Sequence, residues 1–220
     1  MRDTIVFDLD GTLVHSAPDL ARALNHTLSC LGAPPLREAA VTGMIGGGMA
    51  KLFERALAAS DLVLSEAEFE AAYRAFETRY AENAVVETKL YPDTARVLDD
   101  LFTHGLTLAV CTNKLEPIAR YVLEALGVAD RFAAIVGGGE RRPCKPDPGP
   151  LIEILAALGS GPDRAAMVGD SEVDLAAARA ASVPFVHVTF GYGRASAKLA
   201  GADAQLSAMR DLPRTIAALR

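Results

Sequence analysis

Thr4-Ile5-Val6-Phe7-Asp8-Leu9-Asp10-Gly11-Thr12-Leu13 is the stretch on which the reading turns. Four residues that are mostly apolar and β-branched run into Asp-Leu-Asp-Gly. That is the profile of a buried parallel strand ending in a turn. A strand of this kind needs partners, and the next seventy or so residues (about 16–87) offer none, because they contain helix-period segments and no convincing strand.

Leu20, Leu24, Leu28 and Leu31 share one helical face, behind a Ser16-x-x-Asp19 capping box with Pro18 near the start and Gly32 beyond the end. Met49, Leu52, Phe53, Ala56 and Leu57 form a second stripe. Phe69, Tyr73, Phe76 and Tyr80 form a third behind a second box, Ser65-x-x-Glu68. The aromatic residues fall on one stripe and read as the core of a small helical bundle.

From Tyr91 the rhythm alternates. Helices are expected at about 93–104, up to Gly127, at 148–159 and from 172, with strands at 106–111, 132–136, 165–168 and 185–188. Strands alternating with helices of this length imply right-handed crossovers and a parallel sheet with helices on both faces. The first strand belongs to that sheet. The expected organisation is an α/β core of residues 1–14 and 88–220 and an inserted all-α cap of residues 15–87. Hinges are expected near 14–16 and 85–90.

A chain of 220 residues, half of them hydrophobic, can bury a sizeable core without disulfides. Cys30, Cys111 and Cys144 are scattered and odd in number, which reads as reduced thiols in a cytoplasmic protein. Neither a secretory signal nor a membrane span is expected. The formal net charge of −6 disfavours nucleic-acid and anionic-membrane partners. A small molecule is the expected partner, bound by a monomer or homodimer.

Ligands of open parallel sheets bind beyond the carboxyl ends of the strands. The expected tips deliver Asp8, Asp10, Gly11 and Thr12; then Thr112 and Asn113; then the loop 137–146 with Lys145; then Gly169, Asp170 and Asp174. Each has a plainer reading alone. Asp-x-Asp-Gly is often just a turn, Lys145 a surface lysine, and Gly169-Asp170-Ser171 a helix cap. Capping leaves Asp174 unexplained. Gly46-Gly47-Gly48 reads either as a flexible turn or as a loop whose glycine N–H groups approach a small anion.

The ordered set resembles the haloacid dehalogenase superfamily. Asp8-Leu9-Asp10-Gly11-Thr12-Leu13 is similar to its first motif, while Thr112, Lys145-Pro146 and Gly169-Asp170-Ser171-x-x-Asp174 match the second, third and fourth. The likeness spans essentially the whole chain, cap included, and implies a Rossmann-like core and a Mg²⁺-dependent phosphoric monoester hydrolase. An anionic nucleophile attacks an anionic ester only when cations screen both. Oxygen donors without a His/Cys cluster suit Mg²⁺. The resemblance makes Asp8 the nucleophile and Asp10 the acid and then base. Asp8, the Asp10 carbonyl and Asp170 become metal ligands, with Asp174 supporting the metal or only anchoring Lys145. Thr112, Asn113 and Lys145 become phosphate-binding groups, joined by Gly47 and Gly48 from the cap.

Asp10 also separates the chain from the family's true dehalogenases, which lack that acid. Residues 16–20, Ile45-Gly46-Gly47-Gly48 before Phe53-Glu54-Arg55-Ala56-Leu57, and Phe190-Gly191-Tyr192-Gly193 look like bacterial phosphoglycolate phosphatases. The expected reaction is hydrolysis of 2-phosphoglycolate to glycolate and phosphate through an aspartyl-phosphate. Alternatives are pyrophosphate or sugar-phosphate hydrolysis, or phosphoryl transfer of the phosphoglucomutase type. A phospho-acceptor receiver is disfavoured, because its acceptor lies on a middle strand and it has no inserted cap. Two departures stand out: His15 occupies the hinge where many relatives carry an aspartate, and the loop Glu140-Arg141-Arg142 is unusually basic.

Overall fold

The computed structural model describes residues 2–139, 142–193 and 199–219. Glu140 and Arg141 of the basic loop lie outside the described residues; Arg142 pairs with Glu116 and Glu153 near the surface.

Strand β1 (Thr4–Phe7) is followed by a short β2 (Val14–His15). Four helices come next: α1 (Ala17–Cys30), α2 (Glu38–Thr42), α3 (Met49–Ala59) and α4 (Glu66–Glu82). Strand β3 (Lys89–Leu90) returns antiparallel to β2. The alternating series is α5 (Thr94–Thr103), β4 (Thr107–Leu115), α6 (Glu116–Ala125), β5 (Phe132–Gly138), α7 (Gly149–Ala157), β6 (Ala165–Gly169), α8 (Glu172–Ala180) and β7 (Phe185–Val188). It ends with β8 (Ala204–Leu206) and α9 (Leu212–Ala218).

The sheet order is β5-β4-β1-β6-β7-β8, every pair parallel, with β1 in the interior. Alternation along β1 sends Ile5 and Phe7 into one apolar layer and Val6 into the other. Helices α5, α6 and α9 pack in the first layer through Val97, Leu98, Ile118, Val122, Leu212 and Ile216. Helices α7 and α8 pack in the second through Leu151, Ile154, Leu155, Leu175 and Ala178. The expected α/β sheet, covered on both faces, is therefore present, with an all-helical insert after β1.

Within the insert, Phe53 of α3 stacks on Phe76 of α4 at 5.8 Å and touches Phe69 and Tyr73. The aromatic stripe is thus core. The Ser65–Glu68 capping box forms as expected. The Ser16-x-x-Asp19 box does not, because both side chains have partners elsewhere. Asp19 accepts hydrogen bonds from the backbone N–H groups of Val86, Glu87 and Thr88 and from the Thr88 hydroxyl. One buried carboxylate thereby ties the first helix of the insert to its return segment. Among the described residues, no helix is long and apolar enough to cross a membrane.

Candidate active site

Phe7 pairs with Val110 on one side and Val168 on the other, so the residues that follow them emerge side by side at one edge of the sheet. Asp8, Asp10, Thr112, Asn113, Lys145, Asp170 and Asp174 all line a single pocket there, together with Gly47 and Gly48 from the helical insert. The residues singled out from the sequence are thus brought together.

Lys145 is the hub, with only 3% of its surface exposed. Its ammonium donates to Asp8 Oδ1 at 2.7 Å, the Cys111 carbonyl at 2.6 Å and Asp174 Oδ1 at 2.6 Å. Burial opposes its charge, but Asp174 and Asp8 outweigh burial and hold it above the usual lysine range. Burial pushes the Asp8 carboxyl up to about 7, with Lys145 opposing and Asp174 adding to the rise. Asp170 is likewise held well above the carboxylate range, by burial first and then by Asp174 and Asp8. Negative charge is crowded here around one lysine.

Asp174 also has a local role. Its Oδ2 accepts from the Ser171 N–H and hydroxyl, and its own N–H donates to Ser171 Oγ, closing a capping box on α8. Capping therefore does explain Asp174, contrary to the expectation from its spacing, and the same side chain anchors Lys145. Asp170 Oδ2 accepts from the N–H groups of Tyr192 at 2.6 Å and Gly193 at 2.9 Å. A Cβ on Gly193 would strike the Asp170 backbone, and one on Gly11 would strike its carboxylate. Glycine at these two positions lets both loops close on Asp170.

Asp10 faces a different wall. Lys114 Nζ contacts its Oδ1 at 2.8 Å and Oδ2 at 2.9 Å, and the Ser16 hydroxyl donates to Oδ1 at 2.5 Å. Lys114 was not singled out from the sequence, and Ser16 only as a helix cap and as part of a resemblance. Lys114 stands two residues beyond Thr112, and strand alternation would have placed both on one side. The structure extends β4 through Leu115, past an irregularity in its pairing with β5, where a strand ending at Cys111 was expected. Thr112 Oγ1 accepts from the Lys114 N–H, and the Asn113 amide donates to the Lys145 carbonyl.

Tyr192 was noted only as part of a resemblance. Its hydroxyl accepts from the N–H groups of Ser16 and Ala17 and lies 3.0 Å from His15 Nδ1. The departure at His15 thus sits where the core passes into the helical insert, between the rings of Tyr91 and Tyr192. In the insert, Arg55 donates to the carbonyls of Met44 and Gly46, so the glycine loop is held rather than loose. Gly46, Gly47 and Gly48 all take positive φ, which accounts for glycine there.

The oxygen ligand atoms of Asp8, Asp170 and Asp174 lie within 4.8 Å of one another. Asp8 Oδ2 and Asp170 Oδ1 make no hydrogen bond among the described residues. An all-oxygen donor set around crowded negative charge fits a hard divalent cation.

Residues 5–188 match the family model of haloacid dehalogenase-like hydrolases. A phosphoglycolate phosphatase of Rhodospirillum rubrum is 44% identical over 198 residues, which cover 88% of this chain and 82% of the relative. One from Agrobacterium fabrum is 42% identical over 187 residues, covering 85% and 80%. The crystal structure of a predicted phosphoglycolate phosphatase from Haemophilus somnus superposes with a TM-score of 0.92 at 33% identity, covering 98% of each chain.

Proposed function

Since the chain belongs to the haloacid dehalogenase-like hydrolase family, we propose that its pocket hydrolyses 2-phosphoglycolate to glycolate and inorganic phosphate. The observation that carries this reading is the Lys145 ammonium joining Asp8 to Asp174 inside the carboxylate cluster. Substrate preference follows the relatives named phosphoglycolate phosphatase.

In the proposed reaction an Asp8 oxygen attacks phosphorus and the bond from phosphorus to the ester oxygen breaks. Asp10, two residues on, delivers a proton to that leaving oxygen and glycolate departs. Water then attacks the phosphoryl group on Asp8 while Asp10 takes its proton. The bond from phosphorus to Asp8 breaks, which frees phosphate and restores the carboxylate. Lys145 holds Asp8 in place and offers a point charge to the phosphoryl oxygens; Thr112 and Asn113 supply hydrogen bonds beside it. Mg²⁺, when bound, supplies the charge that lets a carboxylate approach a phosphate dianion. The residues proposed to hold it are Asp8, Asp170 and the Asp10 carbonyl, with Asp174 acting from behind through Lys145.

Residues 15–87 are proposed to act as a cap over residues 1–14 and 88–220, with Gly47 and Gly48 closing on the substrate. The same reading makes the protein a cytoplasmic enzyme, monomer or homodimer, whose partner is a small phosphate ester.

A panel of 2-phosphoglycolate, pyrophosphate and sugar phosphates, assayed for phosphate release with Mg²⁺ and with chelator, tests this. The expected result is the highest kcat/KM for 2-phosphoglycolate and none of it under chelation. A sugar phosphate converted to its isomer without phosphate release would overturn the hydrolase reading.

A further inference from the structure

We infer that Lys114 recognises a carboxylate on the leaving group, and so selects phosphate esters that carry one next to the ester oxygen. This deepens the proposed function and rests on it.

The two cations of the pocket differ in what they have left to offer. An ammonium has three N–H donors. Those of Lys145 go to Asp8, the Cys111 carbonyl and Asp174. Among the described residues lining the pocket, the other basic side chain is Lys114. It is 3% exposed, its stem is walled in, and its Nζ lies 4.7 Å from the centre of the Tyr80 ring. Among the described residues its one carboxylate partner is Asp10, at 2.8 Å and 2.9 Å. A buried ammonium so held is a fixed charge aimed at a fixed place.

The placement of the ester follows. With the phosphoryl group at Asp8 and Lys145, the ester oxygen has to face Asp10, which protonates it. The rest of the leaving group then lies against Asp10, on the wall that carries Lys114. In 2-phosphoglycolate the carboxylate carbon is joined to the carbon bearing the ester oxygen. A carboxylate so close to an oxygen in contact with Asp10 falls within reach of an ammonium that touches the same Asp10. Lys114 then meets the substrate carboxylate as well as Asp10, and once Asp10 has given up its proton the ammonium lies between the two carboxylates and screens them from each other. Leu20, Met49 and Leu52 supply the apolar part of the same pocket and no competing charge.

The test compares 2-phosphoglycolate with 2-hydroxyethyl phosphate, which has the same two-carbon alkyl leaving group and no carboxylate. The wild-type protein is expected to prefer 2-phosphoglycolate in kcat/KM. In Lys114→Gln that preference ratio should fall by at least about 10-fold, the worth of one charge-assisted hydrogen bond, mainly through a higher KM for 2-phosphoglycolate. If Lys114 only positions Asp10, both substrates lose the same factor, the ratio stays put, and the inference is overturned. Lys114→Met, which keeps the volume of the buried stem, is read in the same way should the Gln variant melt early. A wild-type protein with no such preference overturns the substrate reading itself, and this inference with it.

Discussion

The hydroxyl of Tyr192 accepts a hydrogen bond from the backbone N–H of Ser16 at 2.6 Å. A second comes from Ala17 at 3.0 Å. Ser16 opens the first helix of the insert, yet its own hydroxyl is turned to Asp10 and does not cap that helix. A tyrosine from the far end of the chain takes the capping place, and its backbone N–H holds Asp170. The junction between core and insert and the carboxylate cluster are therefore tied together by one residue.

Tyr192→Phe leaves the buried N–H groups of Ser16 and Ala17 without their acceptor. The expected loss is about 1–3 kcal/mol, seen as a Tm several degrees lower than wild type. The backbone contacts to Asp170 survive the change, so Mg²⁺ should still raise the Tm of this variant. An unchanged Tm would mean that this junction is held by something else.

Asp19→Asn replaces a buried carboxylate that accepts from three consecutive backbone N–H groups with a side chain carrying donors of its own. The loss should be about 2 kcal/mol or more, worth roughly 4–8 °C in a chain of this size. Burial opposes the Asp19 charge, but the hydrogen bonds from Glu87, Thr88 and Val86 outweigh it and hold the carboxyl below its usual range; Arg22 is its ion-pair partner. A lowered folded value means the contribution is present above the unfolded carboxylate pKa and is lost as pH falls through the folded one. Urea midpoints of wild type and variant should therefore differ by a constant amount above pH ~5 and converge below pH ~4. A gap that persists into strong acid would argue against the charge as its source.

Metal binding should be visible without catalysis. A ligand that binds only the folded state at a hundredfold its Kd stabilises by about 2.7 kcal/mol. Saturating Mg²⁺ is expected to raise the wild-type Tm accordingly, and EDTA to reverse it. Asp170→Asn should lose most of that rise, because Asp170 contributes one of the clustered ligand atoms. An Asp170→Asn protein that responds to Mg²⁺ like wild type would move the cation elsewhere.

What could be read from the sequence, and what could not, divides along a physical line. Apolar runs such as Thr4–Phe7 and Ala165–Gly169 end in Asp8 and Asp170, and local pattern suffices to find them. The stripes of α3 and α4 are equally local. Strand β8, three residues long at the edge of the sheet, has too little pattern to declare itself. The two-residue pairing of β2 with β3 is held by tertiary contact alone. Ser16 and Asp19 mislead for the same reason: their spacing is that of a capping box, but long-range partners win both side chains. Lys114 carries no local signal, because its meaning depends on Asp10, a hundred and four residues earlier in the chain. Asp174 was half read, since the capping box with Ser171 is local and the bond to Lys145 is not.

The claim on which the rest depends is that the phosphoryl group passes through the Asp8 carboxylate. Asp10→Asn should still accept it from an activated aryl ester, which needs little help from an acid, and should release it slowly for want of a base. Acid quenching that variant during turnover of p-nitrophenyl phosphate with Mg²⁺, followed by peptide mass mapping, is the direct measurement. One added phosphoryl group is expected on the peptide holding Asp8, and none when Asp8 is also replaced by Asn. A phosphoryl group on another residue, or steady phosphate release from the doubly substituted protein, would contradict it.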